Sequence, residues 1–305
     1  MTSVGVGIPV WNGADYLEQA VQSLLAQTRP PDQITIADNA SSDDSLAIAR
    51  GIAACEPTVS VISRPTNTGA SFNYNDLVTQ VETDLFAWLP HDDRWTPDLL
   101  AAMVRVHDED EVALAYGRRH SIDEHGQRLP TQPLTWDDPA GPIERLQRLF
   151  ADPLDSHLHD CTAVLGLIRR DVLLDTARIQ PFSSSDKVLI VDIALRGRIV
   201  PVDSVFERRV HQQSSVRAQP DDASRQRWFD PAASGPATPQ LRILRGFQRA
   251  VAAAPLPAPQ RRHAQRLIIR WAASDGRPRV LAGELRHQLQ WSLGQLLTRQ
   301  RSDQP

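Results

Sequence analysis

The chain has 305 residues, 33 Lys plus Arg against 37 Asp plus Glu, and a net charge of −4, enough length for one sizeable core and an appended subdomain. Its two cysteines, Cys55 and Cys161, are too few and too far apart for a disulfide framework or a cysteine-based metal site, and they fit a reducing cytoplasm. The N-terminus does not read as a signal peptide, and no stretch reaches the roughly 18 consecutive apolar residues of a membrane-spanning helix.

In chain order, residues 2–9 read as a strand of small and β-branched residues, Asn12-Gly13 as a turn, and Leu17, Ala20, Val21, Leu24 and Leu25 as the apolar stripe of a helix. Ile34-Thr35-Ile36-Ala37 is a second short strand. The polar run from Asp38 to Ser45 then leads into Leu46, Ile48, Ala49 and Ile52 at helical spacing. A strand at 59–62, a helix at 72–81 and a strand at 85–89 follow. This alternation predicts the α/β class, a mostly parallel sheet covered on both faces. Ligands of such sheets bind outside the carboxyl ends of the strands, where Pro9, Asp38 and Asp92-Asp93 fall.

The run Leu85-Phe86-Ala87-Trp88-Leu89-Pro90-His91-Asp92-Asp93-Arg94-Trp95 ends an apolar strand on two adjacent carboxylates. Mg²⁺ and Mn²⁺ take carboxylate and phosphate oxygens, and they keep only one or two protein carboxylates where a substrate diphosphate supplies the rest. The same residues also fit a plain strand-to-helix turn, with Thr96 or Asp92 as cap and Pro97 in the first helical turn.

Val6-Gly7-Ile8-Pro9-Val10-Trp11-Asn12-Gly13, then Asp38-Asn39-Ala40-Ser41-Ser42-Asp43, then His91-Asp92-Asp93 and Pro97, resemble the nucleotide-binding half of the family 2 glycosyltransferases, which have the GT-A fold. Asp186 followed by Leu189, Leu195-Arg196-Gly197 and Ile199, then Phe206-Glu207-Arg208-Arg209-Val210-His211 and Ser214-Ser215, is similar to the acceptor half. Each block is weak alone. Their order and spacing over residues 1–216 carry the resemblance.

The resemblance implies a Rossmann-like nucleotide-binding half (1–115), an acceptor half (116–218), and an inverting transfer from a UDP- or dTDP-sugar assisted by Mn²⁺ or Mg²⁺. Pro9, Trp11, Asn12, Asn67 and Asn75 would line the donor. Asp38 would accept a hydrogen bond from the base N3–H, as suits an ionised carboxylate, which only accepts. Asp93 would hold the metal, Asp92 would meet the ribose or a metal-bound water, and His211 would complete the metal site or contact the diphosphate. Asp186 would be the catalytic base. Plain readings stay open beside these: Asp38 as a turn former, Asn67 and Asn75 as amide side chains at a helix start, Asp186 as a helix cap after Ser183-Ser184-Ser185, His211 as a packed residue.

Three departures from the family pattern bear on the donor: Asn39 in place of an Asp, Tyr74-Asn75 in place of an Arg-Asn pair, and Pro90 in place of an acidic residue. Residues 116–160 read as irregular, with a hairpin through Glu124-His125-Gly126, a Pro-rich passage holding Trp136, and a helix at 143–150; residues 161–169 return as an apolar strand. The acceptor, whether glycan, lipid-linked intermediate or small molecule, is not legible there.

Residues 219–239, rich in Pro, Ala, Ser and Asp, read as a linker to a helical C-terminal subdomain at 240–305. From residue 236 onward there are 12 Arg, no Lys and 3 acidic residues, a net of +9 that leaves −13 for the rest of a chain at −4. Leu267, Ile268, Trp271, Leu281, Leu285, Leu289, Leu293, Leu296 and Leu297 form stripes that suit either a bundle docked on the catalytic domain or a basic amphipathic surface on anionic lipid. Nucleic acid is not an expected partner, because no basic motif is interleaved with aromatics. The expected place of action is the cytoplasm, with or without peripheral contact to the inner face of the membrane. A sugar-nucleotide pyrophosphorylase would need a basic, Gly-rich N-terminal signature that residues 4–13 lack. A catalytically silent nucleotide-sugar-binding or glycan-binding relative is the other alternative.

Overall fold

The computed structural model describes residues 2–109, 111–131, 136, 139–151, 158, 161–211 and 221–302. The first half alternates as expected: β1 (Val4–Val10), α1 (Leu17–Leu25), β2 (Gln33–Asp38), α2 (Ser45–Cys55), β3 (Val59–Ser63), α3 (Ala70–Gln80) and β4 (Leu85–Trp88). Then come β5 (Arg94–Trp95), α4 (Leu99–Val106), β6 (Val112–Ile122), α5 (Pro142–Ala151), a 3₁₀ turn (Thr162–Leu165), β7 (Leu167–Arg169), α6 (Arg170–Leu174), α7 (Asp186–Ala194) and β8 (Arg198–Arg209). Four more helices close the chain: α8 (Asp222–Phe229), α9 (Pro239–Ala253), α10 (Ala258–Ala273) and α11 (Arg277–Ser302).

One eight-stranded sheet runs β3-β2-β1-β4-β7-β6-β8-β5. The first four strands are parallel, as a strand-helix alternation requires. The sheet becomes mixed where β7 enters antiparallel to both β4 and β6, with β6 parallel to β8 and β5 antiparallel to β8. β1 is buried along its whole length because helices cover both faces. Its Gly5 and Gly7 let α3 lie close: a Cβ at Gly5 would meet Val81 Cγ1 at 2.1 Å, and one at Gly7 would meet Leu77 Cβ at 2.9 Å.

Side chains alternate between two cores. Phe86 and Trp88 of β4 face one core, and Leu85, Ala87 and Leu89 face the other with α1 and α4. In α7, the seven residues from Val188 to Ala194 are buried, so this helix is apolar nearly all round and needs cover on the side away from the sheet. The chain after residue 238 provides it: Ile243, Phe247 and Val251 of α9 and Ile268 and Trp271 of α10 lie in the same core as Val188 to Leu195. Phe247 meets Phe150 at 5.4 Å and Trp271 at 5.0 Å between ring centres.

Several local expectations are corrected. β6 extends to Ile122 through residues that read as irregular, because β8 pairs with it down to Arg209. Residues 161–169 are a strand only at Leu167–Arg169. Before it, Cys161 is left-handed at φ 53° and the chain makes the 3₁₀ turn, with Gly166 pressed on Ala115. Thr96 is not a helix cap; its hydroxyl donates to the Val205 carbonyl at 2.9 Å, across to β8. Within the expected linker, α8 forms behind Asp221, whose carboxylate accepts from Ser224 N–H at 2.7 Å. The tail stripe is divided: Leu267, Ile268 and Trp271 are buried, while Leu285, Leu289 and Leu293 are exposed. The side chains of Leu296 and Leu297 and residues 219–220 lie outside the described set. Among the described residues no helix is long and apolar enough to cross a membrane.

Candidate active site

The carboxyl ends of β1, β2 and β4 converge. Pro9 is buried in β1, and its carbonyl lies 3.3 Å from His91 Nδ1. Trp11 stands 44% exposed at the rim. Asn12, left-handed at φ 52°, accepts through Oδ1 from the Ser42 N–H at 2.8 Å, which ties the loop after β1 to the loop after β2. Asp38, the last residue of β2, is 1% exposed. Its Oδ2 accepts from Ser41 N–H at 3.3 Å, and its buried Oδ1 has no partner. The turn after it contains Ala40 at φ 59°, a strained conformation for a residue with a Cβ.

Asn39 is a scaffold residue. It donates to Asn67 Oδ1 at 3.0 Å and accepts from Thr68 N–H and Oγ1–H at 2.9 Å each, fixing the 67–69 loop beside Asp38. The exposed Asn67 thus spends its oxygen on Asn39 and on Gly69 N–H, at 2.8 Å. Asn75 spends both ends on one backbone unit, donating to the Ile179 carbonyl at 2.7 Å and accepting from Ile179 N–H at 3.1 Å. It locks α3 to the segment before α7.

The two-residue strand β5 organises the acidic pair. Its antiparallel register, Arg94 with Glu207 and Trp95 with Phe206, carries Asp92 and Asp93 alongside the end of β8. Asp93 is 3% exposed and accepts from Arg209 N–H at 2.8 Å. The buried Arg209 guanidinium donates to the carbonyls of Asp92, Asp123 and Glu124, and stacks 4.3 Å above the Tyr16 ring. His211 Nε2 lies 2.8 Å from Asp92 Oδ2, and its ring is 5.2 Å from that of Tyr16. His211 therefore engages Asp92.

Burial favours the protonated form of Asp92, but the His211 hydrogen bond and the charges of His91 and His211 hold its carboxyl below the ordinary range. Asp93 is pushed well above that range, first by burial and then by the charge of Asp92, with Arg208 opposing. His211 is raised, chiefly by its bond to Asp92. Tyr74 is raised by burial and by both carboxylates.

Asp186 is the first residue of α7. The cap position is Ser185, which makes no side-chain cap bond, and among the described residues the Asp186 carboxylate accepts from the adjacent Lys187 N–H, at 3.0 Å. The plain capping reading of Asp186 is thus corrected. Burial raises its carboxyl, and the charges of Lys187 and Arg208 oppose the rise. Arg208, which donates to Thr162 Oγ1 at 3.2 Å, acts on Asp93, Asp186 and Tyr74 alike. The sequence reading assigned no role to Tyr16, Tyr74, Arg208 or Arg209. The signal present was Arg208-Arg209 running straight into His211. Ser214-Ser215 lie outside the described residues.

Among the described residues no group of three His, Cys, Asp or Glu side chains is arranged to hold a metal. The donor set still suits a hard cation, since neighbouring carboxylates, Asp93 buried and Asp92 half-buried, offer oxygen ligands and repel each other until a positive charge joins them.

Residues 5–176, more than half of the chain, match the family described as glycosyl transferase family 2. The chain belongs to this family. The chain is 26% identical over 140 residues to TuaG of Bacillus subtilis, named for teichuronic acid biosynthesis, covering 44% of the chain and 56% of TuaG. It is 25% identical over 198 residues to the chondroitin synthase of Escherichia coli, covering 61% and 28% respectively. Over 166 residues it is 26% identical to an uncharacterized glycosyltransferase of Rickettsia conorii, covering 54% and 27%. It thus spans less than two thirds of each of these relatives. Among solved structures, S. aureus TarS 1–349 in complex with UDP superposes with a TM-score of 0.60 at 15% identity, covering 90% of this chain and 73% of that one. The same TarS fragment with UDP-GlcNAc gives 0.59 at 16% identity, covering 88% and 71%. At these identities the likeness establishes the fold, of the GT-A kind the sequence implied.

Proposed function

We propose that this family 2 glycosyltransferase moves a sugar from a UDP- or dTDP-sugar to an acceptor hydroxyl with inversion, aided by Mn²⁺ or Mg²⁺. The observation that carries the reading is that the one Arg208 charge reaches both Asp93 and Asp186, carboxylates 93 positions apart in sequence. Inversion needs two groups on opposite faces of the anomeric carbon, one receiving the leaving diphosphate and one taking a proton. Asp186 takes the proton of the acceptor hydroxyl as its oxygen bonds to the anomeric carbon, and the bond from that carbon to the nucleoside diphosphate breaks.

On the leaving side, Asp93 and Asp92 would hold the cation, which when bound would neutralise charge on the diphosphate. His211 holds Asp92 in place. Asp38 uses its free buried oxygen to accept from the base N3–H, which selects uracil or thymine over cytosine, whose N3 only accepts. TarS was solved with UDP and UDP-GlcNAc, which supports a uridine donor. Arg208 supplies the positive charge that Tyr74 leaves out of the family's usual pair.

Calorimetry of UDP binding with and without Mn²⁺ tests this. Asp93→Asn keeps the acceptor for Arg209 N–H, so it should fold normally and lose the Mn²⁺-dependent part of UDP affinity. Unchanged Mn²⁺-dependent affinity would remove Asp93 from the site.

A further inference from the structure

The catalytic reading leaves the outer surface of α10 and α11 unexplained. The residues of α11 nearest the body are Arg277, Leu281, Glu284 and Gln288, all half-buried at helical spacing. Next to this inner line runs an apolar one that faces outward: Leu285, Leu289 and Leu293, at intervals of four, are 46%, 56% and 60% exposed. Arg279 and Arg286, at seven-residue steps from Leu293, flank it. On α10, Ile269 is 65% exposed beside the exposed Arg262, Arg266 and Arg270. A groove of about 650 Å³ opens between α9, α10 and α11, its apolar wall including Leu244, Ile268, Ala272 and Leu281.

Charge decides what this face fits. The two described acids after residue 240 are both engaged. Asp275 pairs with Arg277 at 3.0 Å, and Glu284 accepts from the N–H groups of Gln240 and Leu241 at 3.1 and 2.8 Å. Arg262, Arg266, Arg270, Arg279 and Arg286 make no ion pair among the described residues. A second copy of the same face would set arginine against arginine, whereas an anionic lipid surface complements both the charge and the exposed leucines.

We propose that the α10–α11 face docks on an anionic phospholipid bilayer, with Leu285, Leu289, Leu293 and Ile269 entering the headgroup region and the flanking arginines meeting lipid phosphates. The connecting segment links α11 to the donor loop. Trp291 of α11 packs over Gly235, whose added Cβ would meet the indole at 3.2 Å, and the same segment begins at Phe229, pressed against Gly69 of the donor loop.

Co-sedimentation of the full chain with two kinds of vesicle tests this, one of phosphatidylcholine alone and one with phosphatidylglycerol mixed in. Binding is expected only to the anionic vesicles and should weaken as salt rises. Leu289→Glu with Leu293→Glu, and separately Arg262→Glu with Arg266→Glu and Arg270→Glu, should each reduce binding by about tenfold or more. Melting temperature and UDP affinity should be unchanged, because none of these side chains is buried or near the donor. Absence of binding to anionic vesicles, or binding that both variants leave intact, would overturn the proposal. A dimer seen by light scattering that Leu289→Glu with Leu293→Glu dissociates would also overturn it, assigning the face to a second copy.

Discussion

Burial raises the Asp186 carboxyl above its ordinary value of 3.8, and the charges of Lys187 and Arg208 offset only part of that rise. A carboxyl with a raised folded pKa holds its proton more tightly in the native state than in the unfolded chain. Stability therefore falls as pH rises from the unfolded value through the folded one. A general base works only when ionised, so at neutral pH Asp186 lowers stability in the state that supports transfer. Asp186→Asn is accordingly expected to raise the melting temperature at neutral pH. Transfer should fall by about 10²- to 10⁴-fold. Transfer by the unsubstituted enzyme should climb with pH along an acid limb centred above 3.8. Melting curves and a pH–rate profile on both proteins check this, and near-normal transfer in the variant would end the assignment.

At the scale of elements, α7 is held between the sheet and α9 by a contact that leaves no room for a side chain on α9. A Cβ at Gly246 would meet Val188 Cγ2 at 2.6 Å and Cγ1 at 2.9 Å. In an open helix, replacing Gly by Ala stabilises by about 1 kcal/mol. Here the methyl has to displace a buried β-branched side chain with little rotamer freedom, and overpacking of that kind costs about 1–3 kcal/mol. Gly246→Ala should therefore be neutral to destabilising by urea denaturation. It should lower turnover more than UDP affinity, because Val188 lies two residues from Asp186 and far in sequence from the donor loops. A clear gain in stability would mean that α9 is free to move away from α7.

For the whole molecule, the tail divides into a part the core requires and a part it does not. Ending the chain after Gly235 removes α9 and α10 and exposes the outer side of α7, so an insoluble or strongly destabilised protein is expected. Ending it after Ser274 removes only α11, which contributes no buried side chain among those described. The losses then are the Glu284 contact to the first turn of α9, about 1 kcal/mol, the packing of Trp291 on Gly235 and the Arg277 contacts to Trp271. The shortened protein should therefore be somewhat less stable but still fold, bind UDP and lose most of its affinity for anionic vesicles. Solubility, melting temperature and sedimentation of the two truncations distinguish these outcomes.

Residue periodicity alone determined the early strand-helix alternation and placed Pro9, Asp38 and Asp92-Asp93 at one edge, because apolar spacing encodes which face of each element is buried. It did not determine which distant segments meet there. The two-residue β5 is too short to carry a period, and its pairing with β8 is what brings Arg209 and His211 onto Asp92 and Asp93. The same limit hid the loss of Asn75 to Ile179, 104 residues away. It also hid the partition of one leucine series, whose spacing is the same whether α9 covers it or nothing does. Local sequence fixes the period of a face, and only the packed chain decides what that face touches.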